Sequence, residues 1–196
     1  MLNKIKAERM ITLVYVALLR GINVGGKNKI DMGLLKQTFE KAGMNDVVTY
    51  INTGNIIFSY RGPLTTKLPR ILEEAIHCDF GLQIKVIVRN FDDVSRIIKA
   101  IPDTWKNEKD MKSDVMFLWD EIDDESVLMN LVIKPDIDTV KYVPGAILWS
   151  VDKINVTKSG MSKIVGSKLY KQVTIRNVNT TRKIYKLMQH QNDSFI

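Results

Sequence analysis

From Thr12 to Leu19 nearly every position is apolar and many are β-branched or aliphatic. A run apolar on both faces predicts a central strand covered on two sides, with Leu13 and Val16, or their neighbours, facing cores on opposite faces. Helical spacing follows at Met32, Leu35, Phe39 and Ala42, with Asp31 as N-cap and Gly43 to close the C-terminus. Two strand-like runs, Val47 to Asn52 and Ile56 to Tyr60, flank Thr53-Gly54-Asn55, a hairpin signal. A helix is predicted from about Thr66 to Gly81, with Pro69 in its first turn and Leu68, Leu72, Ala75 and Ile76 inward. Ile84, Val86 and Val88 then alternate with Lys85, Ile87 and Arg89, the pattern of an edge strand with a basic outer row.

The second half repeats this order. A helix through Phe91, Val94, Ile97 and Ile98 ends before Pro102, and strands are predicted at Val115–Trp119, Thr139–Val143 and Ala146–Val151. Helices are predicted through Val127, Leu128 and Leu131, near Ser162–Tyr170, and through Ile184, Tyr185 and Met188, with an extended piece at Val173–Ile175. The order of elements repeats, while the residues do not visibly do so. The expected fold is α+β: a tandem duplication of ferredoxin-like βαββαβ units with antiparallel sheets and packed helices. Residues 1–10 read as a short extension, disordered if Met10 is the true start. Residues 11–90 read as one half, and residues 91–196 as the other with a C-terminal helix, the two packed as one unit.

Composition narrows the class without naming a function. The chain is 45% hydrophobic and 26% charged, enough to build a core. Its single cysteine, Cys78, allows no intramolecular disulfide, which fits a reducing cytoplasm. The run from Met10 to Leu19 is too short to span a bilayer, and Arg20 ends it with no cleavage signal, so no membrane association is expected. Net charge is +7, distributed unevenly: residues 1–30 carry +5, residues 153–196 carry +8, and residues 103–125 carry −6. Basic ends suit an anionic partner such as a phosphate-bearing small molecule or nucleic acid; a solvated basic surface is the plainer reading.

Candidate chemistry concentrates in three stretches. Arg20-Gly21-Ile22-Asn23-Val24-Gly25-Gly26-Lys27-Asn28-Lys29 joins a strand to a helix by more residues than such a connection needs. Its glycines free the backbone, its Arg20 and Lys27 supply charge, and a helix N-terminus follows, a combination suited to phosphate or carboxylate. It matches neither the dinucleotide fingerprint nor a P-loop. Two readings stand: an anion site, lined by Arg20 and the Asn23–Gly26 backbone, or a loop whose glycines serve turn geometry. The second stretch, with Asn55, is a hairpin turn or a binding loop. Ferredoxin-like topology is taken to place it at the opposite sheet end from the first, separate unless the other half bridges them. The third comprises Ser162-Lys163 and Thr174 to Thr180, where Arg176 offers a fork to an anion and Asn177 to a ligand or a helix end.

With only His77 and His190, no histidine-rich metal site is expected. No cofactor motif is present, and His77 and Cys78 diverge by about 100° on one helix, a poor nucleophile–base pair. The stretches Tyr15 to Asn28, Tyr50-Ile51 with Gly54-Asn55, Gly160 with Ser162-Lys163, and Thr174-x-Arg176-Asn177-x-Asn179-Thr180 together resemble the bacterial family known as domain of unknown function 1697. It departs from that pattern at Thr53, Ile164 and Val178. The resemblance implies a duplicated ferredoxin-like fold and brings no activity or catalytic residues.

Three functions therefore compete. The first is a cytoplasmic protein, monomeric or weakly dimeric, that binds a phosphate-bearing ligand through Arg20–Lys29. The second is an enzyme acting on a small anionic metabolite, and the third a protein-interaction module.

Overall fold

The structure is a computed structural model describing residues 12–62 and 67–195. The expected extension at residues 1–10 lies outside the described residues. The elements run β1 (Thr12–Leu19), α1 (Met32–Lys41), β2 (Asn45–Tyr50), β3 (Asn55–Arg61), α2 (Leu68–Phe80), β4 (Val86–Asn90), α3 (Phe91–Ala100), β5 (Met111–Leu118), β6 (Asp138–Val143), β7 (Ala146–Asp152), β8 (Val173–Asn177) and α4 (Val178–Asp193). They form two four-stranded antiparallel sheets, β2-β3-β1-β4 and β6-β7-β5-β8, the same order twice and the order of a ferredoxin-like unit.

The alternation of β1 explains the layering. Val14, Val16 and Leu18 enter a central core; Tyr15, Ala17 and Leu19 enter an outer one with Leu35 and Phe39 of α1 and Leu72 and Ile76 of α2. β5 does the same, sending Val115 and Phe117 to the central core and Met116 and Leu118 outward. α3 and α4 fill the centre through Val94, Ile97, Ile184 and Met188, so both sheets share one core. A strand buried on both faces must be apolar on both, which is the pattern of Thr12 to Leu19.

Three expectations are corrected. The helices predicted at Val127–Leu131 and Ser162–Tyr170 are 3-10 turns, Glu125–Asn130, Gly160–Lys163 and Leu169–Gln172. Gly166, at φ 90°, breaks the chain between the last two. β4 is an edge strand, but of its expected outer row only Lys85 is solvated: Ile87 joins the central core and Arg89 is buried. Finally, the residues do repeat at one place. Val86-Ile87-Val88-Arg89-Asn90-Phe91 and Val173-Thr174-Ile175-Arg176-Asn177-Val178 occupy equivalent strands, and Asn90 and Asn177 cap the helices that follow.

Candidate functional site: a cavity at the end of the first sheet

The β1–α1 connection folds into a small tongue. The Asn23 N–H donates to the Asn28 carbonyl (3.1 Å), and the Lys27 N–H to the Val24 carbonyl (3.2 Å). Gly25 and Gly26, at φ 60° and 76°, are the two central residues of this tight turn, a pairing that the type I′ hairpin turn requires. A Cβ at either would meet open space, so conformation and not crowding calls for glycine. The glycine amides therefore shape the tongue, which carries Lys27 and Lys29 into solvent.

Asn23 ties the tongue to its surroundings. Its Nδ2 donates to the Ile30 carbonyl (2.9 Å) and to the Asn52 carbonyl (2.9 Å), and its Oδ1 accepts the Ile30 N–H (2.9 Å). The Asn28 amide donates to the Gly21 carbonyl (3.0 Å). A cavity of about 510 Å3 opens here, lined by Asn23, Gly26, Lys29, Asn52 and the first residues of α1. Asp31 also lines it, its Oδ1 engaged by the Leu34 N–H as helix cap. Among the described residues neither Lys27 nor Lys29 has an ion-pair partner.

The β2–β3 turn lies at the same sheet end as the tongue, not the opposite one. β3 runs antiparallel to β1 with Asn55 beside Leu18, and the Leu19 N–H donates to the Gly54 carbonyl (2.8 Å). A Cβ on Gly54 would sit 2.7 Å from Leu19 Cβ. The expected separation fails because β1 and β2 run the same way, so β1 ends where the β2–β3 hairpin turns.

The remaining predicted residues are dispersed. Arg20 does not line the cavity. It reaches the second half, donating to the Val173 and Tyr170 carbonyls (3.1 and 3.0 Å) and lying 5.2 Å from the centre of the Tyr170 ring. Arg176 is buried. Its Nε donates to Asn55 Oδ1, its Nη1 to the Thr174 hydroxyl and Ile175 carbonyl, and its Nη2 to the carbonyls of Leu19 (2.9 Å), Thr53 (3.0 Å) and Gly54 (3.1 Å). Burial pushes its pKa down to about 10, and among the described residues no carboxylate pairs with it. Asn177 caps α4 by accepting the Thr180 N–H (2.8 Å). Ser162 and Lys163 lie exposed on a 3-10 turn, the Ser162 hydroxyl bonded to the Ser159 carbonyl. Thus Asn23, Gly26 and the tongue share a site, Asn55 and Arg176 brace it from beneath, and Ser162, Lys163 and Asn177 stand outside the cavity lining.

Sequence reasoning missed Ile51, Asn52 as a lining residue, and Arg89. Ile51 holds φ 49°, unusual for a β-branched residue, and no sequence signal marks it. Arg89 was legible through the repeated Val-x-x-Arg-Asn.

Residues 13–149 match the model of a family described as protein of unknown function (DUF1697). Among solved structures the chain is similar to a conserved bacterial protein, SP0830 from Streptococcus pneumoniae. The two are 26% identical over 91% of this chain and 99% of that one, with a TM-score of 0.77. No curated protein matches. Among the described residues no helix is long and apolar enough to cross a membrane.

Proposed function

The chain belongs to the family of proteins of unknown function DUF1697, and we propose that it binds a small phosphate-bearing ligand in the cavity between the tongue, the start of α1 and the β2–β3 turn. One observation carries this reading: Lys29, without an ion-pair partner among the described residues, faces a cavity of about 510 Å3 beside the N-terminus of α1. That volume suits a small molecule. The N-terminal amides of a helix favour negative charge, and a lysine adds a mobile ammonium. Asp31 opposes an anion in part, which selects a pose at the Lys29 and Gly26 side. The Asn23 amide is spent on backbone carbonyls, so its role is to hold the walls. The polar lining is Lys29, the Asn23 and Asn52 amides and Asp31, whose carboxylate is engaged as the helix cap, a set that supports binding over catalysis.

The test is an amide-resolved NMR titration with inorganic phosphate and adenosine monophosphate. Resonances of Gly26, Lys29 and Gly33 should move, and Lys29→Ala should weaken binding about 10- to 100-fold, the worth of one charge-assisted hydrogen bond. Equal binding by Lys29→Ala and wild type, or shifts confined to Lys163, Lys168 and Lys171, would sink the cavity reading. The latter pattern, with a steep salt dependence for a single-stranded oligonucleotide, would instead favour nucleic acid along the basic 3-10 segment.

A further inference from the structure

We propose that Arg176 is a positioning residue for this cavity, holding the β2–β3 turn from the second half so that Asn52 stays against Asn23. The turn needs holding. Ile51 sits at φ 49°, a left-handed conformation unfavourable for a β-branched residue, and at 46% exposure its burial does little to offset the strain. The restraint comes from below. Asn55, wholly buried, donates to the Tyr50 carbonyl at one end of the turn (3.0 Å) and to the Thr53 hydroxyl (3.4 Å). Arg176 holds Asn55 by its Oδ1 and takes the Thr53 and Gly54 carbonyls together with that of Leu19. The next carbonyl along the turn, that of Asn52, accepts from Asn23 in the cavity wall (2.9 Å). The second half thus sets a wall built wholly from the first.

The compensation for Arg176 makes this a tight coupling. Its Nε and Nη2 are taken by oxygens of the turn and of β1 and its Nη1 by Thr174 and Ile175 of its own strand, with no carboxylate pairing among the described residues. Removing the guanidinium takes a donor from the Leu19 and Thr53 carbonyls and from Asn55 Oδ1, while the Gly54 carbonyl keeps the Leu19 N–H, so the turn loosens at Thr53 and Asn55.

The repeat supplies an internal control. Arg89 occupies the same place in β4, is equally buried, and crosses the other way to the Leu118 carbonyl at the end of β5. It pairs with the Asp120 carboxylate (3.0 Å) and is absent from the cavity lining. Loss of either arginine removes a buried bridge between halves, but only Arg176 reaches the turn.

The inference rests on the cavity reading for its ligand arm alone. In the ligand-free full chain, Arg176→Lys should shift the Ile51–Gly54 amides and the Asn23 side-chain amide, whereas Arg89→Lys should leave them in place. Inorganic phosphate affinity should fall about tenfold in Arg176→Lys and stay unchanged in Arg89→Lys, even where both lower the melting temperature alike. Ile51→Asn, which tolerates φ 49° and needs no change at Arg176, should raise the melting temperature by about 2–4 °C. Unmoved turn resonances in Arg176→Lys, equal effects of the two lysine variants on the turn, or a lower melting temperature for Ile51→Asn would overturn the proposal. If wild type binds no phosphate, the cavity reading fails while the turn resonances still decide the role of Arg176.

Discussion

At the residue scale the cost of a glycine depends on what surrounds it. Gly54 and Gly25 both have positive φ, 78° and 60°. A Cβ on Gly54 would lie 2.7 Å from Leu19 Cβ and 2.9 Å from Ile22 Cδ1, both in the outer core, while one on Gly25 would touch nothing. Gly25→Ala therefore carries the conformational penalty alone, roughly 1 kcal/mol. Gly54→Ala adds overpacking and should cost roughly 2–4 kcal/mol by urea unfolding. Equal losses would show that the core yields at Leu19 and that the turn does not press on β1. Two buried carboxylates make a second contrast. Burial alone would raise the pKa of Asp138, but donors from Ser159, Lys134 (2.9 Å), Gly160 (3.0 Å) and Trp149 (3.1 Å) together outweigh it and hold the group below the usual range. Its stabilisation is present above the ordinary carboxylate pKa near 4 and lost as pH falls through the depressed value. Asp114 is pushed up by burial, against a weaker opposing pull from Lys112 at 3.8 Å, so its ionised form costs stability above the raised value. Asp138→Asn should lose about 2–3 kcal/mol at pH 7, with the difference shrinking towards pH 3. Asp114→Asn should gain roughly 1 kcal/mol at pH 7 and nothing below pH 4. Thermal melts between pH 3 and 7 check both, and parallel curves for the two variants would refute the assignment.

At the element scale the sequence was most legible where one element supplies its own evidence. α1 carries its period, its Asp31 cap and Gly43 within one short stretch, and it forms as read. β1 announced its two-sided burial because both faces are apolar in the seven consecutive residues from Leu13 to Leu19. The covering layer of the second sheet was not legible in the same way. Residues 125–130 and 160–172 hold apolar residues at helix-like spacing, yet they form 3-10 turns, and in the second stretch the Gly160 N–H and the Tyr170 carbonyl are taken by the distant Asp138 and Arg20. A Cβ on Gly160 would lie 1.4 Å from the Val132 carbonyl oxygen, and its N–H is taken by Asp138, so the segment is fixed by contact with another loop before propensity acts. The site was half legible for the same reason. The tongue could be recognised from Gly25-Gly26 and its lysines, because a tight turn is written in adjacent residues. Arg176 could be recognised as a guanidinium worth explaining but not placed. Apart from Asn55 Oδ1, its acceptors in the first half are backbone carbonyls at Leu19, Thr53 and Gly54, groups every residue has, so nothing in the sequence distinguishes those three.

At the scale of the whole molecule, the exchange of arginines implies that the halves fold together. Each sheet turns one face to a shared core, and each fourth strand sends an arginine to the end of the other half's first strand. Residues 12–90 alone would leave Val14, Val16, Leu18, Ile57 and Ile87 uncovered, since their partners on α3, α4 and β5 would be gone. At roughly 1.5–3 kcal/mol for each fully buried aliphatic side chain, that exposure forgoes on the order of 10 kcal/mol. This is comparable with the whole stability of a typical domain, about 5–15 kcal/mol. The fragment would also lose Arg176 beneath the turn, leaving the Thr53 and Gly54 carbonyls without that donor. The full chain should therefore unfold in one transition, with coincident far-ultraviolet and tryptophan signals and equal calorimetric and van't Hoff enthalpies. All three tryptophans, at positions 105, 119 and 149, lie beyond β4, whereas circular dichroism reports both halves. A first half that melted separately would split the two signals. A chain ending at Asn90 should bind a hydrophobic dye and show no cooperative melt. A cooperative, dye-free transition in that fragment would mean that the shared core is an interface between independent units, and that the arginines only dock them.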